Sequence, residues 1–224
     1  MSMPFYVSPE QLIKDRAEFA QKGIARGRSM VAAIYDQGVL LVAENPSASL
    51  NKISEIYDRI AFAGVGRYNE FDRLREAGIR WADSTGYSYS REDVDARALA
   101  NYYAQYLGAT FTEGPKPLEI EILVAQLGSK QRPTKLYHLA YEGTITDEQK
   151  FAVLGGDAET IKQRFAQGDS EGTLGETLHR AANALGGPDR TISVADLEVA
   201  ILEDRGTRRT FTRLDDAAVG ALLS

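Results

Sequence analysis

The spacing of apolar side chains changes character several times along this chain. Leu12, Ile13, Ala17, Phe19 and Ala20, with Arg16 among them, form a partial stripe at helical spacing. Ser8 is placed to cap that helix, Pro9 suits its first position and Glu10 falls in its first turn. These signals predict a helix over residues 8–25, with seven residues ahead of it. Met30 to Tyr35 and Val39 to Ala43 are β-type runs on either side of Asp36-Gln37-Gly38, which predicts a hairpin. Ile53–Tyr57 and Ile60–Val65 read as two further short strands.

Helical spacing returns from Asn69 to Ala82, where Phe71, Leu74, Ile79 and Trp81 share one side. Ser90 and Asp93 then resemble a capping box, opening a helix that runs to about Phe111. Its expected apolar face carries Val94, Ala98, Tyr102 and Tyr106. Leu118, Ile120, Ile122 and Val124 alternate with Glu119 and Glu121, as in a strand over Leu118–Leu127. Leu136–Tyr141 and Phe151–Leu154 continue the strand pattern. Gly155-Gly156-Asp157 turns into a helix ending near Gly168. Thr173 and Glu176 form a capping box for another, which stops at Gly186-Gly187-Pro188. Leu197, Val199 and Ile201 mark a strand, Thr210–Leu214 another, and Asp215 starts a short terminal helix.

Strands and helices therefore come in groups instead of alternating singly. That order predicts an α/β (α+β) chain with antiparallel sheets and segregated helices, not βαβ units. Two paired sheets with helices on each outer face would bury every stripe. No repeat, linker or low-complexity segment interrupts residues 1–224, which are expected to form a single domain.

Composition narrows the class. With 26 Lys and Arg against 32 Asp and Glu, the formal charge is −6, and no basic stripe is visible, so no nucleic-acid partner is expected. There are no cysteines, hence neither disulfides nor thiolate metal sites. No apolar run approaches the roughly 20 residues that cross a bilayer, so no membrane partner is expected. The start, Met-Ser-Met-Pro-Phe-Tyr-Val, lacks a basic region and a long apolar stretch, unlike a signal peptide. The expected location is cytoplasmic.

Candidate chemistry is sparse. The two histidines, His138 and His179, fall in a predicted strand and a predicted helix and read as surface or satisfied polar positions. No nucleophile elbow, zinc-protease helix motif or phosphate-binding Walker sequence occurs. Gly64-Val65-Gly66 lacks the third glycine of a dinucleotide loop and reads as close strand–helix packing. Glu119 and Glu121 read as one solvated strand face. No cofactor and no metal are expected.

Several stretches, in order along the chain, resemble proteasome α-type subunits of the bacterial (actinobacterial) branch. Val7-Ser8-Pro9-Glu10 and Glu18-Phe19-Ala20 resemble their N-terminal helix, and Gly38 to Asn45 their second strand. Lys52-Ile53-Ser54-Glu55-Ile56-Tyr57-Asp58 is similar to the Lys-Ile-x-x-(Ile/Leu)-x-Asp stretch. Arg67-Tyr68-Asn69-Glu70-Phe71-Asp72 resembles the bacterial branch in particular. The resemblance implies the four-layer α-β-β-α sandwich of N-terminal-nucleophile hydrolases. It also implies a seven-membered ring of copies of this chain, capping rings of catalytic β subunits. Unfolded proteins would be the substrates of that complex, and an ATPase or other activator ring would dock through its C-terminal tails.

The same resemblance assigns residues. Catalytic β subunits use a processed N-terminal Thr whose own amine is the base. Here the matching position lies near Arg28-Ser29, behind about 27 residues, and carries no Thr. Glu44 and Lys52 align with an acid and a lysine that support that nucleophile. No catalytic residue is therefore expected, and the chain by itself is expected not to be an enzyme. The activator pocket falls on Lys52, Gly27 and Arg67, with Arg67 standing where the family has a more apolar residue. The gate falls on Met3, Pro4, Phe5, Tyr6, Val7 and Ser8, without the Asp that follows Tyr in archaeal and eukaryotic tails. The competing reading is a self-sufficient N-terminal-nucleophile peptidase or amidohydrolase, with Ser29 freed by cleavage after Arg28. A generic oligomeric scaffold is a third.

Overall fold

The computed structural model describes residues 8–129, 132–167 and 172–224. The first helix, α1 (Pro9–Ile24), is capped by Ser8, whose hydroxyl accepts from the Gln11 amide at 3.2 Å. Four strands follow: β1 (Met30–Tyr35), β2 (Gly38–Glu44), β3 (Ile53–Tyr57) and β4 (Ile60–Gly66). Helices α2 (Tyr68–Ser88) and α3 (Ala96–Glu113) lead to β5 (Ile120–Gln126), β6 (Lys135–Leu139), β7 (Ile145–Glu148) and β8 (Phe151–Leu154). The chain closes with α4 (Ala158–Ala166), α5 (Leu174–Gly186), β9 (Leu197–Glu203), β10 (Phe211–Leu214) and α6 (Asp216–Leu222).

The strands form two five-stranded antiparallel sheets, ordered β10-β9-β2-β1-β8 and β3-β4-β5-β6-β7. Strand alternation sends each sheet's side chains into two layers. Met30, Ala32, Val39 and Leu41 meet Ala61, Ala63, Leu123 and Ala125 between the sheets. On the outer face of the second sheet, Phe62, Ile122 and Val124 pack against Phe71, Leu99, Tyr103 and Leu107 of α2 and α3. On the outer face of the first, Val31, Leu40, Val42 and Val199 pack against Ile161, Phe165, Leu178 and Leu185 of α4 and α5. The result is the expected four-layer α-β-β-α sandwich. Because both faces of each sheet are covered, β2 is buried at every position.

The structure corrects the sequence reading at several points. Helix α2 runs six residues further, to Ser88. Ser90 caps only a single 3-10 turn, Arg91–Asp93, and α3 is capped instead by Asp95, which accepts from the amides of Arg97 and Ala98. The buried face of α3 is Leu99, Ala100, Tyr103, Leu107 and Phe111, while Ala98, Tyr102 and Tyr106 are exposed. Both stripes have helical spacing. The inward face is mostly carbon, although the Tyr103 hydroxyl is buried there without a hydrogen-bond partner, and an outward Tyr102 stacks on Trp81. Strand β7 was not legible, because Ile145-Thr146-Asp147-Glu148 has one apolar residue and is held as an edge by its ladder to β6. Arg16, counted in the apolar stripe, instead donates to the carbonyls of Thr110, Phe111 and Gly114, tying α1 to the carbonyl end of α3.

Candidate functional site

The junction between α1 and β1 brings the predicted pocket residues to one end of the sandwich. Lys52 precedes β3, and its ammonium donates to the Arg28 carbonyl at 2.6 Å and the Glu44 carbonyl at 2.9 Å. Burial pushes its pKa down from 10.5 to about 8, against the pull of Glu198 and Glu44. Gly27 sits against the second sheet: a Cβ there would lie 2.9 Å from the Gly66 nitrogen and 3.1 Å from Val65 Cγ1. A side chain at 27 would push α1 off the end of β4. Arg67 directly follows Gly66, and its amide donates to the Glu119 carbonyl at 3.0 Å.

Lys52 bonds the residue after Gly27, and Arg67 follows the glycine against which Gly27 packs. The Gly64 amide donates to the Lys52 carbonyl, so Arg67 lies three residues beyond Lys52's partner, roughly 10 Å along the strand.

Each cation has an acidic support. Glu119 is buried, and its Oε1 lies 3.0 Å from Arg67 Nε and 3.5 Å from Lys116 Nζ. Buried Glu70 completes the group, bonding Lys116 Nζ and the Glu119 amide. The expectation that Glu119 lies on a solvated face is therefore wrong. Glu121 is half-buried, accepts from the Gly155 amide at 3.2 Å and lies 3.6 Å from His138 Nε2. Of the two acids only Glu121 lies on the strand; Glu119 sits just ahead of β5, and α1 and the end of β8 cover them. His138 is part-buried beside Glu121, and His179 is exposed on α5.

Glu44 ends β2 and is buried. Arg190 grips it with two hydrogen bonds of 2.8 and 2.7 Å, and Arg28 lies 3.0 Å away. The Arg190 hydrogen bonds, aided by the charges of Arg190, Arg28 and Lys52, hold its carboxyl below the ordinary range. Glu44, Arg28, Arg190, Arg26 and Gly27 line a cleft of about 260 Å³. Ser29 lines the same cleft, is 9 % exposed, and its nitrogen is the amide of the Arg28–Ser29 peptide. Glu44 is held by guanidinium groups, and Lys52 donates to two backbone carbonyls. Among the described residues, no three His, Cys, Asp or Glu side chains are grouped to hold a metal.

Met3, Pro4, Phe5, Tyr6 and Val7, expected to form a gate, lie outside the described residues, and Ser8 is the α1 cap. Sequence reasoning missed Glu119, Glu70, Arg190 and Glu198. The usable signal was an acid inside an otherwise apolar strand.

Residues 24–190 match the family described as "Proteasome subunit". The chain belongs to the proteasome subunit family. A protein of Acidimicrobium ferrooxidans called "Proteasome subunit alpha" is 61 % identical over 216 residues, covering 96 % of this chain and 93 % of that protein. Proteins of the same name from Xylanimonas cellulosilytica and Saccharopolyspora erythraea are each 54 % identical, covering 98 % and 100 % of this chain. They span 95 % and 89 % of their own lengths. The similarity therefore includes the proteasome sandwich, α1 ahead of it and the terminal strands and helix behind it. No helix among the described residues is long and apolar enough to cross a membrane.

Proposed function

We propose that this proteasome-family chain is a non-catalytic α-ring subunit, stacked on catalytic β rings, that controls substrate entry and receives an activator. One observation carries the reading. The position where a catalytic sibling presents its free N-terminal nucleophile is here an internal peptide bond, Arg28–Ser29, whose carbonyl is bonded by Lys52. Upstream of it α1 packs onto the sandwich through Ala20, Gly23 and Ile24. Residues that support a nucleophile elsewhere are used here to fix backbone.

On this reading copies of the chain form a ring, residues 2–8 contribute an axial gate, and Lys52, Gly27 and Arg67 receive the C-terminal tails of an ATPase or other activator. Unfolded polypeptide is the substrate of the whole complex, in the cytoplasm. Co-expression with a β subunit of the same source, followed by electron microscopy, tests this. Stacked rings with this chain outermost are expected; a soluble monomer beside empty β rings overturns the assignment.

The Lys52 contact also fits a chain that cleaves its own Arg28–Ser29 bond, as a self-sufficient hydrolase would. Intact mass separates the two, since the hydrolase loses residues 1–28 and the ring subunit keeps them.

A further inference from the structure

Among the contacts that hold helix α1 to the sandwich are Arg16 on the end of α3, Gln21 on Tyr141 and Gly23 on Glu119. The last contact is unusually close. A Cβ at Gly23 would lie 2.2 Å from Glu119 Oε2, so the helix backbone rests on the carboxylate with no room for water between them. That carboxylate is one of two buried acids, Glu119 and Glu70, balanced by two cations, Arg67 and Lys116. Lys116 serves both acids, so Arg67 is the cation that Glu119 does not share with Glu70. Arg67 is half-exposed, and its contact to Glu119 runs through Nε.

We propose that Glu119 is a positioning residue that couples Arg67 to the seating of α1. An anionic group of a docking partner that draws Arg67 away leaves two buried carboxylates on one lysine. A buried charge that loses its partner must be hydrated. Water taking Arg67's place reaches Oε1; Oε2, on which Gly23 rests, is hydrated when the last turn of α1 lifts. The pocket and the helix that carries the N-terminal segment are thus joined by one side chain. The identity of the partner rests on the docking reading above; the coupling of Arg67 to α1 does not.

Hydrogen exchange of the amides of residues 19–26, measured on the assembled α/β particle, tests the coupling. Arg67→Met keeps the bulk and removes the cation, and should raise exchange there by about ten-fold. Arg67→Lys should remain near wild type. Glu119→Gln needs no counter-charge, so adding Arg67→Met to it should change nothing further. Equal effects of Lys and Met, or no effect of either, would overturn the proposal. Should Arg67→Met fail to assemble, the Glu119→Gln background is expected to restore assembly, and continued failure there counts against the coupling. N-acetyl-hexaglycine at millimolar concentration should raise the same exchange as a free carboxylate and not as its C-terminal amide; equal behaviour removes the anion from the scheme. Lys52→Ala should lose activator docking, and because Lys52 also holds the Arg28 carbonyl, any change it makes in α1 exchange should be the same with Glu119 or Glu119→Gln. Retained docking in Lys52→Ala would sink the docking reading while leaving the Arg67–Glu119 result intact.

Discussion

Lys52 donates to the carbonyl of Arg28 at 2.6 Å, which places its ammonium on the peptide bond between Arg28 and Ser29. A second bond, to the Glu44 carbonyl at 2.9 Å, leaves one of its three N–H groups for a ligand. The lysine is therefore both a fastener of the α1–β1 junction and a charge at its surface. These two roles set the predictions for it.

Activator docking is expected to need the charge of Lys52. One charge-assisted hydrogen bond contributes roughly 1.5–3 kcal/mol, too little to hold a tail alone. Several tails on one ring gain through effective concentration, so removing every copy of the charge should abolish docking. Lys52→Ala should leave rings and small-peptide cleavage intact and eliminate activator-stimulated degradation; a wild-type response would exclude Lys52 as receptor.

Docking should also weaken with rising pH. Burial lowers Lys52 to about 8, with Arg28 adding to the shift and Glu198 and Glu44 opposing it. Below that value the ammonium is charged and binds a carboxylate; above it the affinity falls, by at most about ten-fold per pH unit. A bound carboxylate holds the proton more tightly, so the loss sets in later in the complex. Stability runs the other way. Between about 8 and the ordinary 10.5 the folded state binds fewer protons at Lys52 than the unfolded, so this group makes the fold more stable as pH rises. Affinity titrations from neutral to mildly alkaline pH check the first claim, and a flat profile contradicts it.

The chain without β subunits should hydrolyse no peptide. Ser29 is buried, its nitrogen is in a peptide bond, and Glu44 is held by Arg28 and Arg190. Fluorogenic peptides give the readout. Turnover that vanishes in Ser29→Ala would reverse the conclusion.

Removing residues 2–7 should speed cleavage of long peptides by the assembled complex and leave short ones unaffected. Ser8 is best kept, because its hydroxyl caps α1 and losing such a cap costs about 1 kcal/mol. Unchanged rates with intact rings would rule out a gate there.

Glu198→Ala should be strongly destabilising. This buried acid of β9 accepts from the amides of Lys52 and Ile53, from Asn45 Nδ2 and from Arg213, joining the two sheets at the pocket end. Its removal leaves the Lys52 and Ile53 amides without this acceptor, while Arg213 keeps the Ile53 carbonyl and Asn45 the Leu50 carbonyl, at a cost of about 3–5 kcal/mol. Thermal unfolding should show a Tm lower by roughly 6–20 °C. A loss below about 1 kcal/mol would mean that water replaces the carboxylate easily.

Local chemistry was legible in the sequence. The caps Ser8, Thr173 with Glu176 and Asp215 stand where they were read, as do β1, β3 and β8. Each depends on neighbours within four residues, or on a period of two or 3.6 that both the sequence and the backbone obey. The resemblance placed Lys52, Gly27 and Arg67, and the structure gathers them around the α1–β1 junction. What tertiary structure alone decided was the partner of each polar group and the face each ambiguous helix turns inward. Glu119 looks like any alternating strand acid until α1 is laid over it, and Glu44 meets Arg190 from 146 residues away. The rotation of α3 was set by Phe62 and Ile122 beneath it, not by its own stripe. Spacing records which residues share a side; only the packed neighbour determines whether that side meets water, apolar carbon or an opposite charge.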